Sequence, residues 1–356
     1  MLKESDVSAE LLEDLRTTTR RALSAGSGDV VDELGLVGLL VDSDLGGLGM
    51  GDQEMALVGT ELGRALSPSS FLPTAVLATT LLIHAETKAA AESLAGVMAG
   101  DTRCGVALAD SNASWAGSQR SRAPVTAVAS DGGWLLNGTV WGLSTPAQPD
   151  SMLTVASIDG NAVLFAVAGE HLYVTPADQL DASRGLVELT LSDVPARLLA
   201  DNASAARAFG EAYRRGLLAV GAEQVGVARA SLDLAVEYAK TRSQFGSPVG
   251  SFQAIKHRCA EVLLDVELAD AVVDQAVHSG TSVDAELAFT VATRAALAAT
   301  EACIQIHGGI GFTWEHQAHR YLRRARVNAT LLGPSAVHRG AIAASAGLNT
   351  AEGGQR

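Results

Sequence analysis

The chain is poor in aromatic residues, which occupy 4% of its 356 positions. Alanine and leucine must therefore carry the core, a composition that suits helices better than a β-sandwich. Basic residues are also scarce: 26 Lys and Arg face 40 Asp and Glu, a net charge of −14. That sign argues against nucleic acid, whose phosphates the chain would repel. Only three cysteines occur, Cys104, Cys259 and Cys303. None has metal-ligand or C-x-x-C spacing, and Cys259 and Cys303 fall in helical patterns, as reduced packing residues do. No run of 18 apolar residues suggests a membrane span, because stretches such as Ala219 to Ala239 are broken by Glu223, Arg229, Asp233 and Glu237. No basic-then-apolar start suggests a secretion signal, so the expected location is cytoplasmic. What remains is a chain with 47% hydrophobic residues, long enough for two or three packed layers.

The hydrophobic period divides the chain. Residues 1–104 read as an N-terminal helical domain, with apolar faces at Leu11, Leu12 and Leu15 and again over Val30, Val31, Leu34, Leu36 and Val37. Gly46, Gly47, Gly49 and Gly51 break this pattern as a tight turn, without the Lys-Ser/Thr of a phosphate-binding loop. Glu54 and Glu61, seven apart, are expected on a solvated helix face, and Thr74 to Leu82 begins another helix. Over residues 105–201 the period becomes two: Val106 and Leu108, Val125 to Ala129, Met152 to Ala156, Ala162 to Val167 and Leu186 to Leu191 read as strands. Asp131-Gly132-Gly133, Asn137-Gly138 and Asp159-Gly160 are hairpin signals. Helices return over residues 202–348 and predict a C-terminal four-helix bundle, with broad apolar faces that could bury a subunit interface. Residues 349–356 are expected to be a disordered tail. The fold class is α+β, a β-domain set between two helical regions.

Two stretches stand out. Tyr238 to Gln253 (YAKTRSQFGSPVGSFQ) leaves a helix through a Gly- and Pro-containing turn and enters another helix. Ile304 to Phe312 (IQIHGGIGF) is a Gly-rich break between helices. Arg242 is a fixed cation able to pair with phosphate through two parallel hydrogen bonds. Gly308, Gly309 and Gly311 carry no Cβ and admit close backbone approach. Together they meet the needs of a pyrophosphate and an adenine; two ordinary helix–helix turns could contain the same residues. His307, His316, His319 and His338 cluster late, without acidic ligands at metal spacing, and read as polar interface residues. Arg320, Arg323, Arg324 and Arg326 form a basic cluster, either a solvated helix face or a contact to a partner or to phosphates.

The string R-x-Q-F-G-x-P-V-x-x-F-Q (Arg242 to Gln253), followed about 50 residues later by I-Q-x-x-G-G-x-G-F-T-x-E (Ile304 to Glu315), resembles the FAD-dependent acyl-CoA dehydrogenases. Weaker matches at Asp42 to Pro68, Leu135 to Ala156 and Leu180 to Ala196 extend the resemblance over nearly the whole chain. It implies an N-terminal helical domain, a central β-domain and a C-terminal four-helix bundle. It also implies a reaction in which a carboxylate removes the α-proton of an acyl-CoA while FAD accepts hydride from Cβ. The CoA thioester is anionic, so its site must be locally basic.

The resemblance breaks at the base. Leu332 stands where the family's usual glutamate would be, in Leu331-Leu332-Gly333-Pro334-Ser335-Ala336. Gly216, 26 residues before Arg242, occupies the family's alternative base position. Glu223 lies on the same helix face about 10 Å further along and is the weak substitute; Glu211 is on a different face. The loop and strand that hold the isoalloxazine also diverge, at Ala109 to Ser118 and Gly142-Leu143-Ser144. Only Gly117, Ser118 and Ser144 could keep part of that contact, and Trp141 is displaced by one position. By contrast, the residues that reach across the family's oligomer interface to a neighbour's FAD are kept: Arg242, Phe245, Gln253, Gln305, Gly308 and Gly309. The pattern implies a subunit without a catalytic residue or metal of its own that completes the FAD site of a catalytic partner. The family includes such α2β2 heterotetramers in sterol-degrading actinobacteria, acting on steroid CoA thioesters. Two alternatives stay open: a self-sufficient homo-oligomeric dehydrogenase using Glu223, or a flavin-free scaffold or CoA-binding protein.

Overall fold

The computed structural model describes residues 4–26, 28–109, 123–144 and 148–348. The isoalloxazine-loop positions 110–118 and the tail 349–356 lie outside the described residues.

Helices come first: α1 (Glu4–Ala25), the single turn α2 (Val30–Glu33) and α3 (Asp52–Ala65), then a π-helical stretch (Phe71–Ala78) that runs into α4 (Thr79–Ala85), and α5 (Lys88–Met98). The apolar stretch 30–37 is not one helix, as its pattern predicts. Gly35, at φ 66°, ends α2 and a 3-10 turn follows at Leu36–Gly38. Glu54 and Glu61 are not on a solvated face either. Glu54 accepts from the Gly51 amide at 2.9 Å and caps α3, whereas Glu61, 4% exposed, is held by Arg20 of α1 at 2.7 Å.

Strands follow: β1 (Cys104–Ala109), β2 (Val125–Ser130), β3 (Gly133–Leu143), β4 (Ser151–Ile158), β5 (Asn161–Ala168), β6 (Val174–Pro176) and β7 (Leu186–Ala200). β1 pairs with β3 and β4, β3 with β7, β7 with β5 and β5 with β4, so five strands close on themselves. β2 flanks β3 and β6 flanks β7. The period-two pattern explains the two faces. Leu136, Val140, Met152, Phe165, Val187 and Leu189 fill the barrel, while Leu143, Leu153, Val155 and Leu164 join the core shared with the helices. Asn137-Gly138 is not a turn. The β3 register against β7 shifts between Leu136 and Gly138, and Gly138 adopts φ 141°, so the pair forms a bulge inside the strand.

The third region holds α6 (Asn202–Thr241), a hairpin of β8 (Ser243–Gln244) and β9 (Ser247–Pro248), α7 (Gln253–Ser279), α8 (Ser282–His307), a 3-10 turn (Gly308–Phe312), α9 (Ala318–Leu331) and α10 (Ser335–Ser345). Forty-residue α6 is apolar around most of its circumference, as a central helix must be, and packs on α3, α4, α7, α8 and α9. Its approach to α3 is set by glycine. A Cβ on Gly226 would stand 1.9 Å from the Thr60 carbonyl oxygen, and one on Gly63 2.1 Å from that of Glu223. The stretch Ser282–Phe312 is long and apolar enough to cross a membrane, but 61% of its most apolar window is buried in the fold, as in a core helix.

Candidate functional site

The two base positions of the sequence meet in space. Gly216 lies in the middle of α6, facing the π-helical stretch and the turn between α9 and α10. A Cβ placed on it would stand 3.0 Å from Leu77 Cδ2 and 3.4 Å from Leu332 Cδ1. Leu332 is 1% exposed, and Tyr213, one turn before Gly216, donates to its carbonyl at 3.3 Å. Gly333 adopts φ 115°, which only glycine tolerates well. His338 fixes that turn: Nε2 donates to the Gly333 carbonyl at 3.1 Å and Nδ1 meets the Glu286 carboxylate. Where a proton acceptor would sit, a glycine faces two leucine side chains, and leucine accepts no proton.

Two turns along α6, Glu223 is only 6% exposed. Arg184 Nη1 donates to both of its oxygens, at 2.9 and 2.8 Å, and Arg324 Nη1 to Oε1 at 2.7 Å. Arg324, 1% exposed, also donates to Asp181 Oδ2 and to Ser183 Oγ. Burial alone would raise the Glu223 carboxyl, but the Arg184 and Arg324 charges outweigh it and hold the group below its ordinary value. Asp181 is lowered in the same way, against burial, by Arg324 and the Ser183 hydrogen bonds. Burial wins at Arg184 and lowers its guanidinium, whose Nε and Nη2 make no hydrogen bond among the described residues. A general base at neutral pH needs a raised carboxyl with a free oxygen; Glu223 has neither. Beside the network, the cavity lined by Ser67, Ser69, Phe71, Leu143, Arg184 and Glu223 has a volume of about 20 Å³. That is room for about one water molecule, not for an acyl chain or a flavin ring.

The other sequence-marked residues face outward. The β8–β9 hairpin turns through Phe245 and Gly246, both at positive φ, 52° and 79°. Two such residues make the tight turn that suits paired strands, and the αL backbone at a phenylalanine is uncommon. It holds the ring out with 93% of its surface exposed. Arg242 ends α6; its side chain is exposed and makes no ion pair or hydrogen bond among the described residues. The glycine turn lies against the same end of α6. Tyr238 stacks on His307 with centroids 4.2 Å apart, and His307 lies 4.3 Å from His316. Gly308 adopts φ 61°, ψ −136°, a conformation close to glycine-only, and a Cβ on Gly308 or Gly309 would meet no atom within 4 Å. Gln305 and Gln253 are exposed, Gln253 2.8 Å from His257. One open shelf therefore carries a free cation, two glycines without cover and an outward phenyl ring.

Sequence reasoning missed the Asp181–Arg324–Glu223–Arg184 network and the Glu286–His338 pair. Neither has a local signal, since the partners are 39 to 143 residues apart along the chain. The histidines expected as polar interface residues also divide. His338 is 0% and His307 5% exposed, both core residues, because each finds a hydrogen-bonding partner inside. Among the described residues no group of three His, Cys, Asp or Glu side chains could hold a metal.

Helices, a closed barrel and a helical bundle thus follow one another along the chain. Residues 207–347 match the family model described as acyl-CoA dehydrogenase, C-terminal domain. The chain is 32% identical over 305 residues to the acyl-CoA dehydrogenase IpdE2 of Mycobacterium tuberculosis, covering 85% of this chain and 80% of that one. It is 37% identical over 310 residues to the acyl-CoA dehydrogenase FadE34 of the same organism, covering 85% of this chain and 39% of FadE34. Among solved structures, a variant of the Tcur3481–Tcur3483 steroid ACAD superposes with a TM-score of 0.83 at 25% identity, over 97% of this chain and 99% of that one. The ChsE4–ChsE5 complex of Mycobacterium tuberculosis gives 0.80 at 24% identity, over 96% and 98%. The chain belongs to the acyl-CoA dehydrogenase family, FAD-dependent oxidoreductases acting on CH–CH bonds. It spans 39% of the length of FadE34.

Proposed function

We propose that the chain is the base-lacking subunit of a hetero-oligomeric acyl-CoA dehydrogenase. It completes the FAD site of a catalytic partner, and the assembly introduces a Cα–Cβ double bond into a bulky CoA thioester. The observation that carries this reading is the proximity of Gly216 and Leu332: two positions 116 residues apart, either of which could hold a base, face the same place, and neither supplies a carboxylate. The nearest alternative, a self-sufficient enzyme using Glu223, meets the two arginines that occupy that carboxylate.

The residues present fit FAD on one side only. The outward shelf, with unpaired Arg242 and uncovered Gly308 and Gly309, suits a pyrophosphate and adenine bound mainly by another chain. Among the described residues, the cavity beside Glu223, of about 20 Å³, does not suit a flavin ring. FAD, when bound, supplies the hydride acceptor. In this reading Arg242 pairs with the pyrophosphate, the glycine turn admits the adenine, and Phe245 shields the cofactor from water; proton abstraction falls to the partner. The likeness to a steroid ACAD and to a two-component complex supports a steroid-sized acyl group and an α2β2 partner.

The test is the mass and flavin content of the protein purified alone and together with a catalytic acyl-CoA dehydrogenase subunit encoded beside it. Flavin-free protein alone, and a tetramer with one FAD per two chains together, is the expected result. One FAD per chain in the protein purified alone would overturn the proposal.

A further inference from the structure

The arginines of α9 differ in what holds them. Arg324 is locked in the buried network, and Arg326 pairs with Glu301 at 2.6 Å. Arg320 and Arg323 form no ion pair among the described residues. Instead, the Arg323 guanidinium lies over the Trp314 ring, 4.3 Å from its centroid, and Trp314 keeps 74% of its surface exposed. His319 meets the edge of the same ring at 5.0 Å. Both His319 ring nitrogens are shut off from solvent, yet neither makes a hydrogen bond among the described residues.

These four side chains line one wall of a cleft of about 310 Å³; Leu66, Leu180, Asp181 and Ser183 line the other. Asp181 is the single carboxylate among the lining residues, and it is already engaged by Arg324 and Ser183. The cleft is thus a positive, partly apolar recess in a chain of net charge −14.

Two guanidinium groups without an ion pair among the described residues call for a multiply charged acceptor with several oxygens. Phosphate supplies these, and guanidinium binds it through two parallel hydrogen bonds. A carboxylate alone would leave the indole unused, whereas a planar base can stack on it. The volume lies near the lower end of the range for small-molecule sites, roughly 300–1,000 Å³. That suits a single nucleotide unit. We propose that the Trp314–His319–Arg320–Arg323 cleft binds a nucleoside diphosphate, its base on Trp314 and its phosphates on the two arginines. The lining includes neither Arg242 nor Gly308, and the proposal does not depend on the subunit role proposed above.

The probe is ADP, titrated calorimetrically into the purified full-length chain, with adenosine and inorganic phosphate as competitors. Saturable ADP binding is expected, displaced by phosphate and, at higher concentration, by adenosine. Arg323→Ala and Arg320→Ala should each weaken it on the order of tenfold, the loss of one charge-assisted contact. Arg323→Lys should recover part of that loss, since the charge remains without the planar fork. Trp314→Leu should weaken ADP but leave phosphate binding unchanged. Far-ultraviolet circular dichroism of each variant separates lost binding from lost folding. The proposal is overturned if millimolar ADP gives no saturable heat, or if folded Arg320 and Arg323 variants bind ADP like the parent chain.

Discussion

Single residues decide what this chain can do chemically, and Glu223 is the most informative of them. Its carboxylate carries a structural load: it neutralises two arginines that are themselves almost fully buried. Glu223→Gln would leave Arg184 without its ion-pair partner and Arg324 with Asp181 alone, a change that costs about 3–5 kcal/mol in buried pairs. A clear fall in the thermal midpoint is therefore expected, and an unchanged midpoint would show that the network is not needed for stability. The pH dependence has a definite sign. The folded carboxyl lies below its unfolded value, so its stabilising contribution is present above about pH 4.3 and is lost as pH falls through the lower folded value. Unfolding followed from pH 7 into acid should show the parent losing its advantage over the Gln variant as the two curves converge. None of this was legible beforehand. A glutamate on an apolar helix face has the same pattern whether it is a base, a cap or an ion-pair partner, and the deciding arginines are far off in sequence.

At the scale of elements, the sequence showed more. The switch from a 3.6 period to a period of two, and back, appears among the described residues as helices, then strands β1 to β7, then a mainly helical region from Asn202 onward. It read Asn137-Gly138 as a turn because the dipeptide favours positive φ in either setting; only pairing with β7 makes it a bulge. The glycines of α3 and α6 carried no periodic signal at all, yet they set the distance between the two helices. Gly226→Ala should force these helices apart, because the new methyl group would meet backbone that no rotamer change can move. Overpacking of this kind costs about 1–3 kcal/mol, and denaturant unfolding should report at least that loss. Gly221→Ala is the control on the same helix: its nearest contact, 3.4 Å from the Phe289 nitrogen, is close to an ordinary one, and a much smaller effect is expected.

For the whole molecule, the exposed features share a logic that the chain alone does not satisfy. Leu264 and Leu268, one turn apart on α7, are 72% and 49% exposed, and Leu287 of α8 is 37% exposed. At the other end of these helices stand Phe245, Phe312 and the unpaired Arg242. Under the proposed assembly the leucines bury a helix–helix interface, while the shelf meets the partner's cofactor, so the two can be disabled separately. Leu264→Glu with Leu268→Glu should split the tetramer, since each half-exposed leucine contributes about 1 kcal/mol when covered and a glutamate cannot be covered without a partner. Arg242→Ala should act the other way. It leaves every described packing contact in place but removes one charge-assisted pair to phosphate, about 1.5–3 kcal/mol, so FAD should bind the assembled complex roughly ten- to a hundredfold more weakly. Sedimentation of both variants, with flavin absorbance recorded across the boundary, reads mass and cofactor together. Smaller particles from the leucine variant and full-sized, flavin-depleted particles from the arginine variant are expected. Full flavin content in the Arg242→Ala complex would mean that the shelf does not reach the cofactor, and donation across the interface would have to be abandoned.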